Sequence, residues 1–104
     1  MADRPAITLH LHIRTLPGKR DALLTFLRKA RLYYESPGGI HMRVLEHRED
    51  ASRLIEVFEY DTAETYEADE DRVQNDPQMK ALLAEWRALL DGPPRVEVWR
   101  NVKV

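Results

Sequence analysis

The sequence predicts an α+β fold with the element order β-α-β-β-α-β, in which two helices cover one face of a four-stranded antiparallel sheet. Three observations lead to this prediction. Residues 6–14 alternate apolar and polar side chains without interruption, as expected of a strand with one face on a core. Residues 19–34 repeat apolar side chains at helical spacing. The 104 residues suffice for one domain and are too few for two, so we treat residues 1–104 as a single domain.

Two further strands are predicted in the middle of the chain. Residues 40–47 and 53–60 are joined by the polar turn 48–52, which favours a β-hairpin. The first and second strands are linked through a helix, so a right-handed crossover can place them parallel.

The second helix is predicted to be broken. Residues 63–73 follow the capping candidates Asp61 and Thr62, and a second helical run covers residues 77–90, with Asp76 or Asn75 as its cap. A last strand is expected over residues 95–103. This order matches the split βαβ arrangement of a ferredoxin-like fold.

Alternation assigns the strand side chains to two faces of the sheet. One apolar set is expected under the helices: Ile7, Leu9, Leu11, Ile13, Ile40, Met42, Val44, Ile55, Val57, Val96 and Val98. The opposite side is here called the helix-free face, with the expected members Thr8, His10, His12, Arg14, His41, Arg43, Leu45, Leu54, Glu56, Phe58, Tyr60, Glu97 and Trp99. Aromatic side chains that no helix covers indicate an interface. We therefore expect a homodimer formed through the helix-free faces.

Composition excludes several classes of protein. The chain has no cysteine, which excludes disulfides, thiolate nucleophiles, Cys-ligated zinc and iron–sulfur clusters, and fits a cytoplasmic location. No apolar run approaches the length needed to span a bilayer, and the N-terminus does not have the pattern of a secretory signal. The net charge of −2 gives no general attraction to nucleic acid. We expect no nucleic-acid or membrane partner.

Two histidines on the first strand are candidates for chemistry. His10 and His12 project from the same side of one strand, so they can share a metal ion, with His41 or Glu56 as a third ligand. The alternative is that they are polar interface residues bonded to neighbouring carboxylates. No spacing matches a zinc signature, so we assign no metal site. We also expect no cofactor, since no phosphate loop, dinucleotide fingerprint or His-Glu-x-x-His motif occurs.

Glu56 is a carboxylate within an otherwise apolar strand. A buried carboxylate needs a partner or a raised pKa, which makes Glu56 a candidate general base; the alternative is an ion pair across the dimer. One of Tyr33 and Tyr34 is expected to pack and the other to be exposed. Trp86 lies on the apolar stripe of the last helix.

Several landmarks together resemble a known superfamily. Pro17-Gly18-Lys19 follow the first strand, residues 35–40 (Glu-Ser-Pro-Gly-Gly-Ile) precede the second, and residues 56–60 (Glu-Val-Phe-Glu-Tyr) end the third, ahead of an acidic helix and the break at residues 75–77. Over about residues 6–100 the chain resembles the dimeric α+β barrel superfamily, and within it the antibiotic-biosynthesis-monooxygenase-like domains. The resemblance implies a pocket between the sheet and the helices of each subunit.

The resemblance also implies a range of activities. Such domains include enzymes that oxidise aromatic polyketides or quinols with dioxygen and no metal or flavin, relatives that degrade haem, and members with no assigned reaction. Glu56 matches a glutamate that the family often carries on the third strand, with Phe58 in place of a larger polar aromatic side chain. Asp69 stands where a histidine is common. The haem degraders also use an asparagine and a tryptophan that the corresponding strands lack, which argues against haem degradation.

The sequence leaves two functions open. The first is a cofactor-independent monooxygenase acting on a small aromatic or quinol, in which Glu56 or His10 removes a phenolic proton. The substrate contacts expected for it are Tyr33, Phe58, Tyr60, Tyr66 and Trp86. The second is a non-enzymatic dimeric barrel that binds a small apolar ligand or has a stress-response role.

Overall fold

The computed structural model describes residues 4–104 and has the predicted order of elements, with the second helix in two pieces. The strands pair in the order β2-β3-β1-β4, and all three pairings are antiparallel. The ferredoxin-like α+β fold is thereby confirmed. The bounds are β1 Ile7–Arg14, α1 Arg20–Tyr34, β2 Ile40–His47, β3 Asp50–Tyr60, α2 Ala63–Asn75, α3 Pro77–Arg87 and β4 Arg95–Arg100.

The helix ends follow the predicted capping residues. The Thr62 hydroxyl accepts a hydrogen bond from the Thr65 amide, which satisfies a donor that the start of α2 leaves free. Asp76 does the same for the Met79 amide at the start of α3, directly before Pro77 at the first helical position. The break between the two helices therefore has a local cause in the sequence.

The face assignment of β3 from the sequence was wrong. Leu11 lies opposite Glu56, and His10 lies opposite Val57. Residues opposite each other in an antiparallel pair share a face, so Leu54, Glu56, Phe58 and Tyr60 lie under the helices, while Ile55 and Val57 lie on the helix-free face. Each set mixes apolar and charged side chains, with Glu56 in one and Arg53 and Glu59 in the other, so alternation alone could not choose between them.

The structure fixes the members of the helix-free face. They are Thr8, His10, His12, Arg14, His41, Arg43, Leu45, Arg53, Ile55, Val57, Glu59, Arg95, Glu97 and Trp99. Val57 is fully buried there because β3 is a central strand.

The core lies between the other face and the helices. The α1 side chains Leu23, Phe26, Leu27, Ala30 and Tyr34 are buried at helical spacing. Cover by the helices decreases toward β4, where Val96 and Val98 stay 55% and 51% exposed. A cleft therefore opens between the edge of the sheet and α2 and α3.

None of the helices within residues 4–104 combines the length and the apolar character needed to cross a membrane.

Candidate active site

A two-part cavity, here called the chamber, lies between the sheet and the helices. Its inner part has a volume of about 80 Å³ and extends to Glu56. Its outer part, of about 280 Å³, shares walls with the inner part and opens beside β4. The inner lining is Leu9, Leu11, Tyr34, Glu56, Phe58, Tyr60, Asp69, Val73, Met79, Leu83 and Trp86. An apolar cavity with a few polar groups at one end has the usual composition of a small-molecule site.

Glu56 is the polar group at the inner end. It is only 2% exposed, and its Oε2 accepts a hydrogen bond of 2.6 Å from the indole Nε1 of Trp86. Burial raises the pKa of Glu56 to about 7, and the bond from Trp86 opposes that rise. Trp86 engages one carboxylate oxygen, and the other accepts no side-chain hydrogen bond from residues 4–104. Glu56 can therefore accept a proton from a ligand near neutral pH.

Aromatic rings form the wall beside Glu56. Tyr34 and Phe58 meet edge to face with ring centroids 5.7 Å apart. Burial raises the pKa of Tyr34, and the negative charge of Glu56 raises it further, so Tyr34 stays a neutral phenol. This wall offers apolar contact and faces that suit a flat aromatic ligand.

Tyr60 and Asp69 form a closed hydrogen-bonded unit at the side of the chamber. The Tyr60 hydroxyl donates to Asp69 Oδ2 at 2.7 Å, and burial together with this bond raises the pKa of Tyr60. Arg72 donates from Nε to Asp69 Oδ1 at 3.0 Å, and its guanidinium also donates to the backbone carbonyls of Tyr33 and Tyr34. The unit ties α2 to the end of α1 and occupies both oxygens of Asp69.

Comparison with known proteins supports the fold. No family model matches the chain, and no curated protein matches it significantly. Among solved structures, a conserved protein of Methanosarcina mazei superposes with a TM-score of 0.78 at 13% identity, over 92% of each chain. A variant of SnoaB, a cofactor-independent oxygenase from Streptomyces nogalater, gives 0.78 at 12% identity, over 99% of this chain and 97% of SnoaB. A proposed antibiotic biosynthesis monooxygenase from Chloroflexus aurantiacus gives 0.70 at 20% identity, over 94% of each chain.

The chain has the fold of the antibiotic-biosynthesis-monooxygenase-like proteins. The resemblance stated from the sequence is confirmed at this level. At these sequence identities a shared fold does not establish a shared activity.

Within this fold, the structure brings some of the predicted site residues together and separates others. Glu56, Phe58, Tyr60 and Trp86 line the inner chamber, and Tyr66 lines the outer part. His10 does not join this group, because its side chain lies on the helix-free face.

Tyr33 also lies outside the chamber. Its hydroxyl bonds to Asp76, and the Arg72 guanidinium lies over its ring at 5.0 Å. Tyr34 takes the position in the chamber wall. Spacing along α1 does not decide between them, because Tyr33 and Tyr34 lie three and four residues after the buried Ala30.

A larger depression of about 520 Å³ lies at one end of the sheet. The arginines that line it, Arg14, Arg53 and Arg95, are exposed to solvent. Water there weakens the electrostatic effects on which proton transfer depends, so we take the chamber as the candidate active site.

Proposed function

We propose that the chain is a cofactor-independent monooxygenase that oxidises a small phenol or quinol in the chamber. The observation that carries the proposal is Glu56, a buried carboxylate with a pKa of about 7 at the end of an aromatic-lined cavity. The pKa of a phenol, about 10, exceeds that of an ordinary glutamate by about 6 units, which opposes proton transfer between them. For Glu56 the pKa difference is about half as large.

The reaction starts with removal of the phenolic proton by Glu56. The resulting phenolate gives one electron to dioxygen, and the two radicals join through a carbon–oxygen bond at a ring carbon that carries hydrogen, ortho or para to the phenolate oxygen. The proton on Glu56 goes to the outer peroxide oxygen, the ring carbon then loses its hydrogen as the O–O bond breaks, and water leaves to give a quinone. The substrate loses four electrons and dioxygen gains four; one oxygen atom enters the product and the other leaves as water.

The other chamber residues orient the substrate and exclude water. Trp86 holds the carboxylate through one oxygen, which leaves the second oxygen for the phenol. The inner volume of about 80 Å³ is smaller than the roughly 150 Å³ that encloses a benzene ring, so a ring lies across the inner part and the outer part of about 280 Å³, with its hydroxyl toward Glu56. The proposed substrate class is therefore a phenol or quinol with one ring at the reacting end.

One observation favours the second function, a dimer that binds an apolar ligand without reaction. Both oxygens of Asp69 are bonded to Tyr60 and Arg72, so this residue is not free to act as a second acid–base group beside Glu56. A chamber with a single proton acceptor can bind a phenol without activating dioxygen.

Oxygen uptake with a panel of phenols and quinols tests the proposal. Wild type should consume dioxygen, and Glu56→Gln should lower the rate by about 100-fold or more, as loss of a general base does. Glutamine keeps an acceptor for the Trp86 indole, so the chamber should stay intact. Glu85→Gln is the matched control, since Glu85 pairs with Lys29 on the surface and should leave the rate unchanged.

The outcomes separate the two functions. Phenol binding to wild type without oxygen uptake would overturn the monooxygenase proposal and leave the binding function. Uptake at the same rate in Glu56→Gln would show that Glu56 is not the base.

We also propose that two chains pair through their helix-free faces. Trp99 is 52% exposed there, and Leu45 on the far edge of the sheet is also exposed. The face carries charges of both signs, including Arg43 and Glu59, so a copy of the same surface offers opposite charges to each. Pairing would cover apolar area that the single chain leaves in water.

A further inference from the structure

Three side chains of the kinds that bind metal ions meet on the helix-free face. His10 and His12 project from β1, and Glu97 lies opposite His10 on β4. Glu97 Oε1 is 2.7 Å from His12 Nε2 and 4.0 Å from His10 Nδ1. One ligand atom from each side chain can be chosen so that all three lie within 4.8 Å of one another.

These separations are close to those of a bound ion. A tetrahedral zinc site with bonds of about 2.0–2.1 Å places its ligand atoms about 3.3 Å apart. The observed 2.7 and 4.0 Å lie on either side of that value, and the third separation is within 4.8 Å, so side-chain rotations can close the three atoms around one ion. In the unpaired chain the side chains are 26–30% exposed, so an ion can reach them before two helix-free faces meet.

A neighbouring arginine holds the carboxylate in the required orientation. Arg95 donates to Glu97 Oε2 at 3.0 Å, which leaves Oε1 directed at the two imidazoles. Contacts of this kind orient the ligands in known metal sites.

We propose that His10, His12 and Glu97 bind one divalent transition-metal ion on the helix-free face. Two imidazoles and one carboxylate suit ions such as Zn²⁺, and three protein ligands leave a further position for water or for a group from a second chain. Glu97 replaces the third ligands considered from the sequence. Glu56 lies on the other side of the sheet, and His41 is bonded to Asp61.

The site is independent of the proposed oxidation, because the sheet separates it from the chamber. Its metal affinity should therefore be the same in wild type and in Glu56→Gln. If either the metal site or the oxidation is disproved, the other proposal is unaffected.

Calorimetric titration of the chelator-treated full chain with Zn²⁺ tests the site. Wild type should bind one ion per chain, and Glu97→Gln and His12→Gln should each weaken binding by about 100-fold or more. Arg95→Gln should weaken it by about 10-fold, since it removes only the contact that orients Glu97. The control is His41→Gln, because His41 lies on the same face and also bonds to a carboxylate, but has no second histidine beside it among residues 4–104.

A second measurement shows which residues hold the ion. Cobalt(II) should give a visible absorption band in wild type that is lost in Glu97→Gln and kept in His41→Gln. The proposal is overturned if wild type takes up no zinc or cobalt, if Glu97→Gln binds as tightly as wild type, or if His41→Gln loses binding to the same extent. Circular dichroism of each variant should be unchanged, since none of the four substituted side chains lies in the core.

Discussion

Ionised Glu56 lowers the stability of the folded chain, and the proposed role of Glu56 as a base requires this ionised form. Its proton is held more tightly in the folded chain than in the unfolded one, because burial raises its pKa from 4.5 to about 7. Such a group contributes stability that is fully present below about pH 4.5 and is lost as the pH rises through about 7. At about 1.4 kcal/mol per pH unit, the loss across this window is about 3 kcal/mol.

Urea unfolding at fixed chain concentration should measure this loss of unfolding free energy. Between pH 4.5 and 8, wild type should lose about 3 kcal/mol of unfolding free energy relative to Glu56→Gln, since glutamine does not ionise. The comparison between the two proteins removes the contribution of the other titrating groups. Parallel pH profiles would mean that Glu56 titrates at its ordinary pKa.

Trp86 should set the working range of Glu56. Its indole bond favours the ionised carboxylate, so Trp86→Phe should raise the pKa of Glu56 above about 7. Since the base acts in its ionised form, the pH dependence of oxygen uptake should shift to higher pH. Trp99→Phe changes the other tryptophan, on the helix-free face, and should leave the profile where it is. An unshifted profile in Trp86→Phe would count against the role of Trp86.

Single residues of the site could be predicted only in part from the sequence. Glu56 could be singled out, because a buried carboxylate in an apolar strand needs a partner or a raised pKa. Tyr33 and Tyr34 are neighbours in the chain, so the choice between them depends on which direction of α1 faces the core. The hydrogen bonds around Asp69 and Arg72 could not be foreseen, because Asp69 accepts from Tyr60 on β3 and Arg72 donates to a carbonyl at the end of α1.

At the scale of the elements, the junction of α2 and α3 is held by Asp76. Its carboxylate caps α3 and also accepts a hydrogen bond from Tyr33, 43 residues earlier in the chain. Both bonds keep the pKa of Asp76 below its ordinary value. The cap was predictable from Asp76-Pro77, whereas the contact with Tyr33 depends on the folded arrangement.

Asp76→Ala should lower the unfolding free energy by about 1 kcal/mol or more, since it removes a helix cap. Asp76→Asn keeps an oxygen that can cap the helix and should recover the larger part of the loss. Thermal or urea unfolding of both variants measures the difference. Equal losses in the two would show that the charge of Asp76, and not the cap, holds the junction.

The alternation of side chains did not predict which face of β3 lies under the helices. The element order, the hairpin and the broken helix were all predicted, because each depends on local spacing or on Pro and Gly. The face of β3 depends on its register with β1, since a shift by one residue exchanges the two faces. As a result, Phe58 was expected at the dimer interface and lies in the core instead.

For the whole molecule, the proposed dimer gives Trp99 a specific role. Trp99→Asp places a charge on the helix-free face and should convert a dimer to monomers by light scattering. Leu32→Asp is the control, because Leu32 on α1 is 78% exposed on the helical side of the sheet and should leave the mass unchanged. A wild-type chain of monomer mass, or a dimer lost only in Leu32→Asp, would contradict pairing through this face.

The proposed oxidation depends on whether a phenol bound in the chamber contacts a Glu56 carboxyl group with a pKa near 7. Nuclear magnetic resonance of the chain with ¹³C-labelled glutamate carboxyl groups measures this directly. Anaerobic conditions keep an added quinol from reacting. We predict a Glu56 carboxyl signal that titrates near pH 7 and shifts when the quinol is added. Titration near 4.5, or a signal that the quinol leaves unchanged, would contradict the central claim.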